Sequence, residues 1–137
     1  VMTAISINRV AEPYIKNKAT KHLEKNRVVI FASGTGNPFF STDTAAVLRA
    51  SEMKSDIILK GTKVDGIYDK DPTQFNDVKK ISEISYSEYL NKDIKVMDAT
   101  AISLARDRNI PIMIFSILKS SNIIDIIDGK GSYSLIS

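Results

Sequence analysis

Cysteine is absent from the 137 residues, which removes a disulfide framework and any thiolate metal site. A single histidine, His22, sits among Lys16, Lys18, Lys21 and Lys25 and reads as a surface residue. The chain offers neither a Ser-His-Asp nor a Cys-His arrangement for nucleophilic catalysis. No apolar run approaches the roughly 20 residues that span a bilayer, and the first residues lack the basic and apolar regions of a signal peptide. These absences fit a reducing cytoplasm and predict no membrane partner. Charge of one sign is scarce too. Nineteen basic and 16 acidic residues leave a net charge of +3, and they are interspersed, so no nucleic-acid footprint is expected. Repeats, low-complexity tracts and linkers are missing, so residues 1–137 read as one domain. Its 43% hydrophobic content is ordinary for a globular chain long enough to bury a core.

Two of the six glycines fall in the stretch around which the rest is organised, Phe31 to Thr44. An apolar, strand-like run from Arg27 to Ala32 leads into it, and a helix-like run from Thr42 to Met53 leads out. Between them lie Gly34, Gly36, an Asn37-Pro38 step and the hydroxyls of Ser33, Thr35, Ser41 and Thr42. Glycines let the backbone take positive φ and approach a ligand closely. Hydroxyls at the helix start cap it, and its free N–H groups favour an anion. This is the pattern of a phosphate-binding strand–loop–helix turn, although turns use the same residues for their own sake. A Walker A loop is excluded, because no Gly-Lys-Ser/Thr ending follows. A dinucleotide fingerprint is excluded as well, since Phe39 stands where a third glycine belongs. Phe39 and Phe40, two aromatics in a polar loop, would suit stacking on a planar base.

The rest of the chain supplies a frame. Residues 1–12 are irregular or a partial strand. Pro13 suits the first turn of a helix that carries Ile15, Ala19 and Leu23 inward. Arg27 to Ala32, a short β-branched and aromatic run, reads as a buried strand and Asp56 to Lys60 as the next one; with the intervening helix they make a βαβ unit, which predicts parallel pairing. In that helix Ala45, Ala46, Leu48, Ala50 and Met53 form the expected inner face. Ligands gather at the carboxyl ends of such strands, so the loops Gly34–Asp43 and Gly61–Asp71 are expected to face one crevice. The second loop carries Lys63, Asp65, Asp69 and Asp71 but lacks EF-hand spacing, so it is either a solvated turn or a nucleotide loop. Further on come a short strand at Ile81–Ser85 and a short helix at Tyr86–Leu90. Asp98 then caps a helix bearing Ala101, Leu104 and Ala105. A strand follows over Ile110–Ile117, then a helix with Ile123, Ile124, Ile126 and Ile127 stopped by Gly129, and a last alternating strand over Ser132–Ile136.

Three segments in order carry a family resemblance. Gly34-Thr35-Gly36-Asn37-Pro38-Phe39-Phe40-Ser41-Thr42-Asp43-Thr44-Ala45-Ala46 closely resembles the acceptor loop of bacterial uridylate (UMP) kinases, of the amino-acid-kinase superfamily. Leu59 to Pro72 is similar to that family's ATP-binding loop, and Lys95-Val96-Met97-Asp98-Ala99-Thr100-Ala101 is also typical of it. The resemblance implies an α/β fold, a mostly parallel sheet sandwiched by helices, assembled as a homohexamer. It implies transfer of the ATP γ-phosphate to UMP, giving UDP and ADP, with Mg²⁺ held chiefly through phosphates and water. UMP contacts carry over to Thr35, Gly36, Asn37, Pro38, Phe39, Phe40, Ser41 and Thr42. Position 41 is often Thr in the family, and Ser keeps the hydroxyl. ATP contacts carry over to Thr62, Tyr68 and Asp71. Asp43 is expected to organise the reacting centre by orienting lysines or Mg²⁺, and Lys63 to neutralise phosphate charge. No protein-only metal site is predicted.

The resemblance covers only the C-terminal portion of such a kinase. The family's N-terminal Gly-rich loop with its lysine, and a later Gly-Gly segment, have no counterpart here. The chain is therefore expected to be a partial domain that binds nucleotide weakly and does not turn over alone. Two other readings stay open. One is an amino-acid-kinase member phosphorylating a carboxylate such as aspartate or glutamate, which shares the Asp43–Ala46 and Val64–Tyr68 flavour. The other is a non-catalytic nucleotide-binding module.

Overall fold

The computed structural model describes residues 1–70, 72, 74–75 and 77–137. Its elements in chain order begin with β1 (Met2–Thr3), β2 (Glu12–Pro13), α1 (Lys16–Glu24), β3 (Phe31–Ala32) and α2 (Thr42–Met53). The next five are β4 (Ile58–Thr62), β5 (Ile67–Tyr68), β6 (Lys80–Ile81), β7 (Glu83–Ile84) and α3 (Tyr86–Asn91). The last four are α4 (Ala99–Arg108), β8 (Ile112–Ser116), α5 (Asn122–Ile127) and β9 (Tyr133–Ile136). The larger sheet has the order β4-β8-β9-β7, and the smaller ones β2-β1-β3 and β5-β6. β1 pairs parallel with β2 and β3, β4 with β8, and β7 with β9, whereas β8–β9 and β5–β6 are antiparallel. This is the mostly parallel α/β architecture that the sequence predicts.

The core forms where α2, α3 and α4 cover one face of the larger sheet. Ile58, Ile112, Ile114 and Ile136 point inward from the strands and meet Val47, Tyr89, Ala101, Ile102 and Ala105. The small residues Ala101 and Ala105, four apart on α4, let that helix lie close to α2. Both helices have well-defined ends. Ser41 Oγ accepts from Thr44 N–H at 3.0 Å, and Asp98 Oδ1 accepts from Ala101 N–H at 3.0 Å. Lys54 and Asn109 close them in the left-handed conformation.

Several local expectations change. Pro13 lies in β2, an edge strand that tolerates a residue without an N–H, and α1 starts only at Lys16. On α1 Ala19 alone is buried, with Ile15 and Leu23 exposed. The run Arg27–Ala32 is not a buried strand: only Phe31 and Ala32 pair, and Val28 and Ile30 are exposed. On α2 the inward face is Thr44, Ala45, Val47 and Arg49, with Ala46 exposed. The βαβ unit is present as an order of elements, but β3 and β4 end up in different sheets. On α5 only Ile126 is buried.

Candidate functional site

The loop between β3 and α2 is an unusual piece of backbone. Ser33, Gly34, Gly36 and Phe39 all have positive φ, from +59° to +78°. For Ser33 and Phe39 this conformation costs about 1–2 kcal/mol each and must be held by surrounding contacts. Thr3 and Ser33 share a hydroxyl hydrogen bond of 2.8 Å, which ties the loop to β1. Arg49 Nη2 donates to Gly34 C=O at 3.4 Å. Arg49 is itself fixed by Glu52 at 2.7 Å and lies over the Tyr14 ring. At Gly36 a side chain is excluded twice: φ is +78°, and a Cβ would sit 3.0 Å from Ala4 C=O. Thr35 Oγ1 accepts from Asn37 N–H at 3.1 Å, closing a local turn ahead of Pro38.

This scaffold presents its apolar tip to solvent. Phe39 is fully exposed and Phe40 more than half exposed, whereas Thr42 opens α2 with its side chain free on the surface. Ser41 differs from its neighbours, since its hydroxyl accepts from Thr44 N–H and donates to Asp98. Asp98 also accepts from Thr44 Oγ1 at 3.3 Å. Burial disfavours the Asp98 charge, but bonds from Ser41, Ala101 N–H and Thr44 outweigh it and hold its carboxyl below the usual range. One carboxylate thus joins the start of α2 to the start of α4. Sequence reasoning sees Asp98 as a cap and misses the second half of that role.

Asp43, in the first turn of α2, forms an ion pair with Lys60 of β4. Both side chains are largely shielded, 19% and 26% exposed, so the pair fixes their positions. Lys60 was not among the expected site residues; its signal was a lysine closing an otherwise apolar strand run. Lys63 by contrast is exposed beyond the strand end, and it is Lys60 that the structure brings to Asp43.

From Lys60 the chain runs directly into the second loop. Thr62 Oγ1 accepts from Val64 N–H at 2.9 Å and donates to its C=O at 2.8 Å, a turn closed on itself. Tyr68 O–H donates to Asp65 at 2.6 Å, and Lys80 Nζ reaches the same carboxylate at 3.0 Å. The hydroxyl of Tyr68 above all, with Lys80 and Ser132, lowers the Asp65 carboxyl to about 2 against the cost of burial. Gly66 is needed because a Cβ there would lie 2.5 Å from both Lys80 Cε and Ser134 Oγ. The loop forms one wall of a 400 Å³ pocket, with Val64, Gly66 and Tyr68 facing Ile94, Lys95 and Val96. That opposite wall comes from the connection between α3 and α4 and includes Lys95 and Val96, the start of the third segment that carries the family resemblance. Asp71 lies outside the described residues.

Among the described residues no three His, Cys, Asp or Glu side chains converge as a metal site. The Asp43 carboxylate, at the start of α2 where the first loop ends, is already paired with a lysine. It could add one ligand to an ion carried on phosphates.

A sequence profile of the amino acid kinase family matches residues 2–116. The uridylate kinase of Wolbachia pipientis wMel is 57% identical over 137 residues, all of this chain and 55% of its own length. The uridylate kinase of Roseobacter denitrificans is 54% identical over 99% of this chain and 56% of its own. The crystal structure of UMP kinase from Bacillus anthracis superposes with a TM-score of 0.95 at 39% identity, covering 99% of this chain and 56% of that one. The chain therefore spans about half the length of the proteins it matches.

Proposed function

This chain belongs to the amino acid kinase family, and we propose that it carries the UMP-side and ATP-side loops of an ATP-dependent UMP kinase. The observation that carries the reading is the Asp43–Lys60 pair, which locks the start of α2 to the strand that feeds the second loop. Acceptor and donor loops then open at one junction, as transfer between two bound nucleotides requires. Phosphoryl transfer asks mainly for positioning and neutralised charge, and it needs no protein nucleophile.

In this reading Thr35, Gly36, Asn37, Pro38 and Thr42 hold UMP, while Phe39 and Phe40 wall its base. Ser41 shapes the loop through Asp98. Thr62, Tyr68 and Asp71 belong to the ATP side, with the adenine in the pocket between Val64 and Val96. Asp43 keeps Lys60 directed at the transferred group, and Lys63 adds positive charge for the phosphates. A Mg²⁺ ion bound with ATP would supply charge neutralisation, and the Asp43 carboxylate is the protein oxygen that would face it. Residues 1–137 act as one domain that is incomplete without further polypeptide, so turnover by this chain alone is not expected. A homohexamer in the cytoplasm accompanies this reading on the strength of the resemblance.

Backbone ¹⁵N resonances, followed during titration with UMP, aspartate, glutamate and ATP, test the assignment. UMP should shift residues 34–44 and ATP residues 62–70 and 94–96, with aspartate and glutamate inert. Shifts of residues 34–44 by aspartate or glutamate instead would move the chain to the carboxylate kinases. Shifts by no acceptor at all would reduce it to a nucleotide-binding module.

A further inference from the structure

Arg49 is the only charged side chain buried among the described residues, and it lies on α2 beside the loop that follows β3. A guanidinium keeps its charge in a folded protein, so its burial has to be matched by partners. Three meet it. Glu52 Oε2 accepts from Nη1 at 2.7 Å, Cζ lies 3.7 Å over the centre of the Tyr14 ring, and Gly34 C=O accepts from Nη2 at 3.4 Å. Glu52 Oε2 also accepts from Tyr14 O–H at 2.6 Å, which fixes the carboxylate and the ring against each other. Burial first, then that bond, pushes the Tyr14 pKa up to about 12, so the hydroxyl keeps its proton as a donor.

The glutamate and the tyrosine match the charge. The third contact is of another kind, because it reaches a backbone carbonyl 15 positions back in sequence. The neighbours of Gly34 in the loop have holds of their own. Ser33 is tied to Thr3, Gly36 rests against Ala4 and donates its N–H to Ser33 C=O at 3.0 Å, and Thr35 closes on Asn37. Gly34, at φ +59°, has no such packing: a Cβ placed on it would meet no atom within 4 Å outside its neighbours in sequence. Glycine populates positive and negative φ about as readily, so its own preference does not select this conformation. The bond from Arg49 does, since it requires the Gly34 carbonyl to point at α2. Lysine is a poor substitute here. The planar fork puts one nitrogen on Glu52 and another on Gly34 and leaves its face for the ring, whereas an ammonium is a single point of charge.

We propose that Arg49 is a positioning residue: clamped by Tyr14 and Glu52, it selects the Gly34 backbone conformation that presents Thr35, Gly36 and Asn37 to the acceptor nucleotide. This rests on the UMP kinase reading above and assigns part of UMP affinity to a side chain outside the residues that hold UMP in that reading.

The test compares the 137-residue chain with its Arg49→Lys variant, in two arms. Without ligand, the Gly36 amide should exchange at least about tenfold faster in the variant. The ¹⁵N resonances of residues 33–36 should move, while those of the core residues Ile112 and Ile114 stay in place. With ligand, a loop that spends about one-tenth of its time in the competent form binds about tenfold more weakly. The UMP dissociation constant should rise by that factor, and the ATP constant by less than about twofold. Tyr14→Phe keeps the ring and removes only the bond to Glu52, so the same changes should follow in smaller size. A Gly36 amide and loop resonances that stay as in the unsubstituted chain overturn the proposal. So does an equal loss of UMP and ATP affinity, which marks a side chain that only holds the fold together. Should Arg49→Lys fail to fold, Glu52→Gln, which keeps the guanidinium but loosens its clamp, is judged by the same readouts. If UMP shifts nothing in the unsubstituted chain, the UMP kinase reading fails, and the ligand-free arm still decides whether Arg49 sets the loop.

Discussion

Asp98 shows how much one side chain can hold. Its two oxygens take bonds from Ser41, Thr44 Oγ1 and Ala101 N–H. Asp98→Asn replaces one acceptor oxygen with a donor and removes the charge, so at least one hydroxyl loses its partner. Hydrogen bonds to charged groups contribute about 1.5–3 kcal/mol; a loss of about that size is expected in urea unfolding. In the proposed reading, where residues 34–44 hold UMP, UMP affinity should fall with it while ATP-induced shifts at residues 62–70 persist. Asp65 makes a pH prediction. Its carboxyl is lowered from 3.8 to about 2, so its support of the second loop is complete above pH 3.8 and fades as pH falls through about 2. Carboxyl ¹³C NMR should place its midpoint near 2, with the Tyr68 resonance moving in step. A midpoint near 3.8 would mean that the Tyr68–Asp65–Lys80 contact is not formed in solution. At this scale the sequence was readable where a residue type announces its job, as with Ser41, Gly36 and Asp98. Lys60 was not, because its importance comes from Asp43, 17 positions away, and only the fold makes them neighbours.

At the scale of elements, helices were legible and strands less so. The sequence offers Ser41 or Thr42 as the cap of a helix-like run from Thr42 to Met53, and the structure keeps those bounds with Ser41 as the cap. Such signals are local, within four residues of the helix they define. The strand before the loop was misread because β-branched residues announce extended chain but not what covers it. Tyr89 gives an element-level prediction. Its ring is buried in α3, and its hydroxyl accepts from Met97 N–H at 2.7 Å and donates to Met97 C=O at 3.1 Å. Burial, above all, pushes its pKa up to about 12, so it stays protonated throughout the physiological range. Tyr89→Phe leaves both Met97 groups buried and unpaired, at a cost of about 1–3 kcal/mol. The melting temperature should fall and the Met97 amide should exchange faster, while Phe at the exposed end of α3 instead, as in Ser87→Phe, should change little.

At the scale of the molecule, the surface carries more apolar side chain than one face of the sheet requires. Val28 and Ile30 lie beside β3 with most of their surface in water, where they contribute almost nothing. Removing them from the isolated chain, as Val28→Ser with Ile30→Ser, should therefore change stability by no more than about 0.5 kcal/mol each. Full burial of a valine or isoleucine is worth about 1.5–3 kcal/mol. If a second polypeptide covers this flank, the same pair of substitutions should cost the resulting complex about 2 kcal/mol or more. Urea denaturation of both forms, with and without the substitutions, measures the difference directly. Equal small effects in the two forms would mean that this face stays open whatever binds, and the apolar rim would then need a different partner. A large effect in the isolated chain would mean that these residues are already covered in solution, and the open flank described here would be wrong.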